Sequence, residues 1–314
     1  MKAKGVSRAD DLRALVAAEL AEPVDAKVSE MAAAVAAQHG DASRAVLFYG
    51  SCLREKQLDG LMLDFYLIVS DYRAAYDRRW LAAANRLIPP NVFPFAHGEL
   101  TAKYAVLSEA DFARECSLRA RSVSVWARFA QPARLVWVAD ERAGERVTDA
   151  VSEAAPTLFQ LTLPMMRPET DLAVLDIWRR GFSLTYGAEL RAEGKNRSSS
   201  IVDSDPDRYE RFAYAALSAV AGRTGVGPNG EVPLLGAPER MAQRWRWRQR
   251  KGKALTILRL AKASFTFAGG VDYLAWKISR HSGEPISVRP WQRRWPLLAA
   301  VTLLPRLLKR GAIR

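Results

Sequence analysis

Three residues in the first quarter of the chain have the types and spacing of a phosphate- and metal-binding site. Gly50-Ser51 follows an apolar run, and twelve residues separate Ser51 from Asp64, which lies inside a second apolar run. A small Gly-Ser turn lets backbone amides and a hydroxyl approach a phosphate, while a carboxylate on a neighbouring strand holds Mg²⁺ against it. A charged Asp inside an apolar strand is costly unless it is paired. The spacing therefore predicts Mg²⁺-dependent chemistry on a phosphate, with Ser51 at the phosphates and Asp64 as the metal ligand.

This arrangement is typical of nucleotidyltransferases of the polymerase-β type, with one departure. That pattern usually has a second carboxylate two residues after the first, and here the position is Tyr66. Glu99, Asp59 and Asp71 are the candidates for a second metal ligand. The three histidines, His39, His97 and His281, have no ligand partner at useful spacing, so we expect them to be structural.

Five short segments within residues 45–215 carry a more specific signal. They are FYGS at 48–51, MLDF at 62–65, KYAV at 103–106, WARFAQPA at 126–133 and FSLTYGAELRAEGKNR at 182–197. In this order they resemble segments of the mitochondrial-type phosphatidate cytidylyltransferases, the peripheral CDP-diacylglycerol synthases. That family carries YGS, MLDF with a single Asp, and KYGV, so Ala105 stands where the family has Gly.

The resemblance implies a reaction and a set of roles. CTP and phosphatidate would give CDP-diacylglycerol and pyrophosphate, with Mg²⁺ as the cofactor. Asp64 and Lys103 would be catalytic, and the remaining residues would bind CTP or the phosphatidate head group: Gly50, Ser51, Tyr104, Lys195 and Arg197. A phosphatidate oxygen is already ionised near neutral pH, so it needs no general base. The missing carboxylate at Tyr66 is compatible with such a nucleophile.

The positive charge is concentrated at one end of the chain. Residues 240–314 contain 18 Lys and Arg against Asp272 and Glu284, whereas residues 1–239 contain 29 Lys and Arg against 32 Asp and Glu. Such an excess indicates a polyanionic partner, either nucleic acid or an anionic membrane surface. The Arg-Trp alternation at 244–248 suits both, but the segment 289–314 interleaves Trp and Leu with its cations. Apolar side chains of that kind favour peripheral docking on a membrane over nucleic-acid binding.

Three features of the sequence bear on where in the cell the protein is located. No apolar run approaches the roughly 20 residues that a membrane-spanning helix needs. Cys52 and Cys116 are too few for a disulfide scaffold or a thiolate zinc site. The first thirty residues are too acidic for a secretory or organelle signal. We expect a cytoplasmic protein on the inner face of a bacterial inner membrane.

Hydrophobic patterning predicts an α+β fold in which strands and helices position these residues. Strands are expected at 45–49, 63–69, 100–107 and 135–138, and helices at 72–86, 108–118, 142–155, 168–180 and 207–222. The expected organisation is a polymerase-β-type nucleotidyltransferase domain at 1–140, a helical domain at 141–238 that completes the cleft, and a basic amphipathic membrane-docking region at 239–314. A Gly- and Pro-rich linker is expected at 222–238.

Two other functions fit parts of the pattern. The first is an RNA nucleotidyltransferase that binds RNA through its basic end. The second is a catalytically inactive nucleotidyltransferase-like module that binds lipid or RNA, which Tyr66 favours. The lipid-type segments oppose both, and the sequence leaves the nucleotide base, the exact lipid phosphate and the oligomeric state open.

Overall fold

A mixed five-stranded sheet forms the centre of the protein. The computed structural model describes residues 8–55, 62–166, 173–189, 197–224 and 237–266. The strands are β1 (Ser43–Tyr49), β2 (Met62–Val69), β3 (Asn91–His97), β4 (Leu100–Ser108) and β5 (Ala133–Val138). Their order is β3-β4-β2-β1-β5; β2 and β4 run parallel, and every other neighbouring pair is antiparallel.

Helices cover both faces of this sheet. Before the last strand they are α1 (Arg8–Leu20), α2 (Ala26–Ala37), α3 (Ser51–Glu55), α4 (Tyr72–Ala75), α5 (Arg79–Leu87), α6 (Glu109–Cys116) and α7 (Ser124–Phe129). After it they are α8 (Glu141–Ser152), α9 (Ala154–Thr162), α10 (Val174–Tyr186), α11 (Arg197–Asp203), α12 (Pro206–Thr224) and α13 (Pro238–Thr266). Two short 3₁₀ turns lie at Gly40–Ala42 and Leu163–Met165.

Alternation along the strands divides the buried side chains between two cores. Tyr66 and Ile68 of β2 face a core that also contains α1, α7, α9, α10 and α12. Phe65 and Leu67 face the other core, which is covered by α2 and α4. Because successive strand residues point to opposite faces, Asp64 shares the face of Tyr66 and Ile68. The site residue therefore lies on the face that the later helices cover.

The later helices share the first core with the sheet. Trp178 of α10 is fully buried and donates its indole N–H to the Tyr209 carbonyl at 2.8 Å. Trp245 of α13 donates in the same way to the Leu161 carbonyl at 2.9 Å. Side chains of α13 thus pack against the same core as the sheet.

The two tryptophans of the Arg-Trp segment at 244–248 differ in exposure. Trp245 is 2% exposed, whereas Trp247 is 61% exposed. Residues two apart on a helix point in nearly opposite directions, so an alternating sequence separates its two tryptophans. Only Trp247 is available to an external partner.

The predicted α+β fold is confirmed, with local differences. All four expected strands are present, and the structure adds β3. The helix expected at 72–86 is divided into α4 and α5. Helices α8 and α12 lie close to their expected positions, whereas α10, at Val174–Tyr186, begins and ends six residues later than the helix expected at 168–180. Ser108 caps α6 by accepting from the Asp111 N–H at 3.2 Å. Most of the proposed linker and the whole segment 289–314 lie outside the described residues, and the domain boundaries at 140 and 238 stay predictions.

Two expectations from composition concern the described residues. None of the helices there is both long and apolar enough to cross a membrane. Cys52 and Cys116 are both buried free thiols.

A glycine determines how closely α13 approaches the turn after α10. A Cβ on Gly252 would lie 2.2 Å from the Ala188 carbonyl oxygen, whereas a Cβ on Gly222 of α12 would meet no atom within 4 Å. Ala is favoured over Gly in a helix by about 1 kcal/mol, but overpacking costs about 1–3 kcal/mol. We expect Gly252→Ala to lower the free energy of unfolding by about 1–2 kcal/mol and Gly222→Ala to raise it by up to about 1 kcal/mol. Urea denaturation measures both, and a Gly252→Ala variant as stable as wild type would contradict this packing of α13.

Candidate functional site

Strand register brings the two predicted catalytic residues together. Asp64 of β2 lies opposite Tyr49 of β1 on one side and opposite Lys103 of β4 on the other. The Lys103 Nζ is 2.9 Å from the Asp64 Oδ1, and the two side chains are 25% and 20% exposed. The Asp64 and Lys103 side chains are therefore mostly buried but still partly exposed to solvent. Groups that contact a substrate need this partial exposure.

Gly50 supports the Asp64 carboxylate from the end of β1. Its φ is +100°, a conformation that L side chains rarely adopt. A Cβ at this position would lie 3.1 Å from the Asp64 Oδ2. Glycine is thus required both by the backbone conformation and by the space that the carboxylate occupies. The predicted Gly-Ser turn does lie beside the predicted metal ligand, with Ser51 as the first residue of α3.

The Asp64 carboxylate fits a single Mg²⁺ ion. Its Oδ1 is ion-paired with the Lys103 ammonium at 2.9 Å, and its Oδ2 faces the turn at Gly50, where a Cβ would come within 3.1 Å of it. Mg²⁺ is commonly held by one or two carboxylates together with waters and substrate phosphates. Among the described residues there is no cluster of three or more His, Cys, Asp or Glu side chains that would complete a protein cage. Asp64 is therefore the protein ligand that this site offers to a metal shared with a substrate.

The structure does not bring the proposed second ligands to Asp64. Asp71 accepts from the Arg73 N–H at 2.7 Å as the cap of α4, beyond the opposite end of β2. Glu99 is exposed in the turn between β3 and β4, on the order of 13 Å along the strand from Lys103. Asp59 lies outside the described residues. Asp71 and Glu99 are thus both removed from the carboxylate that they were expected to assist.

Tyr104 faces the other side of the sheet, which corrects its assignment to the nucleotide. Its ring packs against Phe93 and Phe95, and its hydroxyl is 3.2 Å from the His39 Nε2. The His39 Nδ1 lies 2.8 Å from the Ala75 carbonyl, so the expected structural role of this histidine fits its surroundings. Strand alternation explains the error, because neighbours of Lys103 must point away from it.

The two remaining predicted residues fall at the edge of what the structure describes. Lys195 lies outside the described residues. Arg197 begins α11, but its side chain is not among those described. The binding of CTP or of the lipid head group by Lys195 and Arg197 stays a prediction.

A strongly basic pocket of about 170 Å³ opens beside Lys103. Four of its side chains are cations, contributed by β4, α7 and α13: Lys103, Arg128, Arg259 and Lys262. Tyr49, Tyr66, Phe65 and Val92 are among the groups that form the rest of its wall. The pocket therefore combines an aromatic and apolar wall with a concentration of positive charge.

Arg128 is held in this pocket by a polar network. It donates to the Ser124 carbonyl at 2.5 Å and lies 3.6 Å from the Glu189 carboxylate. Burial lowers the pKa of Arg128, but Glu189 together with Tyr66 and Tyr49 raises it by more. The hydroxyl of Ser124 donates to Glu189. Arg128 is thus a fixed and fully charged group.

Arg259 and Lys262 are held differently, by neutral acceptors. Arg259 donates to the Pro89 carbonyl at 2.8 Å and to the hydroxyls of Ser124 and Ser122 at 2.8 and 3.1 Å. Lys262 donates to the carbonyls of Ile88 and Pro90, the latter at 2.8 Å. Burial lowers the pKa of Arg259, and burial together with the Arg259 charge lowers the pKa of Lys262 to about 7.

Three cations of this pocket and the Glu189 carboxylate beside Arg128 were not singled out from the sequence. Arg128 and Glu189 lie inside two of the segments that carry the family resemblance, so a closer reading of those segments would have found them. Arg259 and Lys262 had no such signal, because nearly every turn of α13 carries a cation. Only the packing of α13 distinguishes these two from their neighbours.

A larger cavity of about 840 Å³ lies elsewhere, beside α6 and α8, and contains none of the predicted site residues. Phe112 and Val147 contribute to its apolar wall. The ion pair between Arg146 and Glu109, at 2.7 Å, lies at the same cavity. The groups suited to phosphate chemistry are those of the smaller pocket.

Comparison with known proteins adds little to this geometry. The chain matches no known family and no curated protein. Among solved structures it is similar to a nucleotidyltransferase-like protein from Exiguobacterium sibiricum 255-15, with 11% sequence identity and a TM-score of 0.28. That alignment covers 90% of this chain and 92% of the other. A similarity this distant carries no functional assignment, and the chemistry has to be inferred from the site and the motifs.

Proposed function

We propose that this protein is a Mg²⁺-dependent nucleotidyltransferase that transfers CMP from CTP to phosphatidate. The observation that carries the proposal is the placement of the Asp64 carboxylate against Gly50, with the Lys103 ammonium 2.9 Å from it. This combination of carboxylate, glycine turn and lysine suits a metal-bound triphosphate. The choice of CTP and phosphatidate rests on the resemblance of the five segments.

The proposed reaction is an in-line displacement at the α-phosphorus of CTP, and each residue of the site has a role in it. A phosphatidate oxygen attacks the α-phosphorus of CTP and forms a P–O–P bond, while the bond from that phosphorus to the bridging oxygen breaks. Pyrophosphate leaves with the electron pair. Mg²⁺, when bound, would neutralise phosphate charge. Asp64 would hold the metal, Ser51 and the Gly50 turn would bind the triphosphate, and Lys103 would neutralise charge on the transferred group.

Tyr66 supports an ionised nucleophile over an alcohol. The second proton of a phosphomonoester dissociates with a pKa of about 6, so phosphatidate needs no deprotonation at neutral pH. A ribose hydroxyl in RNA would need more help from a base. Tyr66 supplies none, because it is fully buried and burial raises its pKa above the usual value of 10.0.

The outward face of α13 supports docking on an anionic membrane. Trp247 is 61% exposed, Leu258 is 48% exposed and Ile257 is 38% exposed. The same helix carries four exposed cations: Arg244, Arg246, Arg250 and Lys253. Each cation near an anionic surface contributes about 1 kcal/mol, and inserted apolar side chains add to that. The segment 289–314, which lies outside the described residues, is proposed to extend this surface at the cytoplasmic face of the membrane.

Pyrophosphate release tests the proposed activity. Purified protein is incubated with Mg²⁺, each of the four nucleoside triphosphates, and either phosphatidate vesicles or RNA. We expect release that requires both CTP and phosphatidate. Release that requires RNA would establish the RNA nucleotidyltransferase instead, and no release with either acceptor would favour the inactive module.

Flotation of the same vesicles tests docking. Binding should weaken as salt is raised from about 50 to 500 mM, because the Debye length falls well below 10 Å over that range. Replacing Trp247 by Ser should weaken it further. Binding that is insensitive to both changes would contradict docking through α13.

A further inference from the structure

Three cations of the basic pocket have no role in the function proposed above: Arg128, Arg259 and Lys262. Arg259 and Lys262 come from α13, far along the chain from the Asp64 motif, yet they line the same pocket as Lys103. Neither forms an ion pair with any described carboxylate. A protein interior holds such charges at a cost, which an external anion would offset.

The size of the pocket indicates which anion fits. Its volume of about 170 Å³ corresponds to about six water molecules at their share of liquid volume. Pockets for whole drug-sized ligands have volumes of about 300–1,000 Å³. A single phosphate group therefore fits the enclosed space, whereas a complete nucleotide does not. The nucleotide has to lie against the Gly50 turn instead.

The arrangement of donors also suits a phosphate. Arg128 comes from one side, on α7, whereas Arg259 and Lys262 come from α13 and Lys103 comes from the sheet. Cations from several directions match a group whose oxygens point to the corners of a tetrahedron. Ser122 and Ser124 hold the guanidinium of Arg259 at 3.1 and 2.8 Å, so this donor is oriented before a ligand binds.

We propose that Arg128, Arg259 and Lys262 form the binding site for the phosphomonoester group of the acceptor substrate. The inference deepens the proposed function and rests on it for the identity of the acceptor. The outward face of helix α13 would then dock on the membrane, while its inward face contributes cations to the pocket. A lipid phosphate at the membrane surface would lie close to both faces.

Electrostatics agrees with this assignment. Burial and the Arg259 charge both disfavour the charged form of Lys262 and lower its pKa to about 7. The titratable groups that face the same pocket are Arg128, Arg259, Lys103, Tyr49 and Tyr66, with the Glu189 carboxylate beside Arg128 and the Asp64 carboxylate beside Lys103. A dianion would favour the charged ammonium, so its binding takes up a proton above about pH 7. Affinity for the anion should therefore fall as the pH rises from 7 to 9, a range in which the phosphomonoester itself stays a dianion.

Binding of soluble anions to the full-length protein tests the site without CTP, metal or turnover. The probes are inorganic phosphate and glycerol 3-phosphate, titrated by calorimetry at pH 7, 8 and 9. We expect Lys262→Met to weaken glycerol 3-phosphate binding by at least about tenfold at pH 7. Lys27→Met is the matched control, because Lys27 is an exposed lysine on α2 that belongs neither to the pocket nor to the docking face of α13, and its binding should equal that of wild type. Lys262→Arg should bind with an affinity that no longer depends on pH over this range.

Vesicles distinguish a lipid phosphate from a free one. Vesicles with phosphatidate present a dianionic phosphomonoester, whereas vesicles with about twice the mole fraction of phosphatidylglycerol present only a diester, at a similar surface charge. Wild type should prefer phosphatidate, and Lys262→Met should lose that preference while still binding both. Equal anion binding by Lys262→Met and Lys27→Met, in variants whose melting temperatures match wild type, would overturn the proposal. A protein that binds glycerol 3-phosphate through Lys262 but releases no pyrophosphate would retain this site and lose the proposed reaction.

Discussion

Replacing Asp64 with Asn is expected to abolish nucleotidyl transfer and leave the fold intact. The two side chains have nearly the same shape, but the amide loses the negative charge that would hold Mg²⁺ beside the Gly50 turn. Removing one preorganised electrostatic group commonly costs about 10²–10³ in rate, and the loss of the protein's metal ligand should cost at least that. The Lys103 ammonium, which loses its partner, is 25% exposed and can be solvated.

The matched control makes the same chemical change at Asp71. This residue caps α4 and lies beyond the other end of β2. Asn is as good a helix cap as Asp, so Asp71→Asn should preserve both stability and activity. Pyrophosphate release measures activity, and binding of Mn²⁺ with CTP, followed by water proton relaxation, measures the metal site directly. Equal Mn²⁺ affinity in wild type and Asp64→Asn would remove Asp64 as the ligand, whatever the activity.

The part of the fold that the sequence did not reveal is an edge strand. β3 follows Pro89-Pro90 and contains Pro94, and proline argues against a central strand because it donates no backbone hydrogen bond. β3 pairs only with β4, at the edge of the sheet, where one side of the strand needs no partner. Periodicity alone cannot distinguish such a strand from a proline-rich loop. The central strands had no prolines, and their apolar runs were recognised.

The candidate site likewise contains residues that short sequence motifs reveal and residues that only the packing of α13 places there. Gly50, Asp64 and Lys103 are carried by short motifs on strands that pair with each other, so their proximity follows once the strands are recognised. Tyr104 could have been placed correctly by the same rule of alternation. For α13 the sequence does not show which cations belong to the site, because nearly every turn of this helix carries a Lys or an Arg. Only the burial of Trp245 and the close approach at Gly252 fix which side of the helix faces the cleft.

Gly50→Ala is expected to reduce activity through the position of the Asp64 carboxylate, and Gly98→Ala separates this effect from backbone strain. Both glycines have positive φ, +100° at Gly50 and +57° at Gly98. An alanine at either position should lower the free energy of unfolding by at least about 1 kcal/mol, because L side chains disfavour this conformation. Only at Gly50 would the new Cβ also meet Asp64, at 3.1 Å from its Oδ2; at Gly98 it would meet nothing within 4 Å.

A displacement of about 1 Å at a reacting group can cost about 10²-fold in rate, so Gly50→Ala should lose most of its activity under conditions in which it is fully folded. Gly98→Ala should keep nearly all of it, despite a comparable loss of stability in urea denaturation. The comparison therefore separates a glycine needed for the fold from one needed for the carboxylate. If both variants lose activity in proportion to their stability, the Gly50 turn serves the backbone alone. If Gly50→Ala alone fails and also binds Mn²⁺ with CTP more weakly, the turn and the carboxylate act as one metal-nucleotide site.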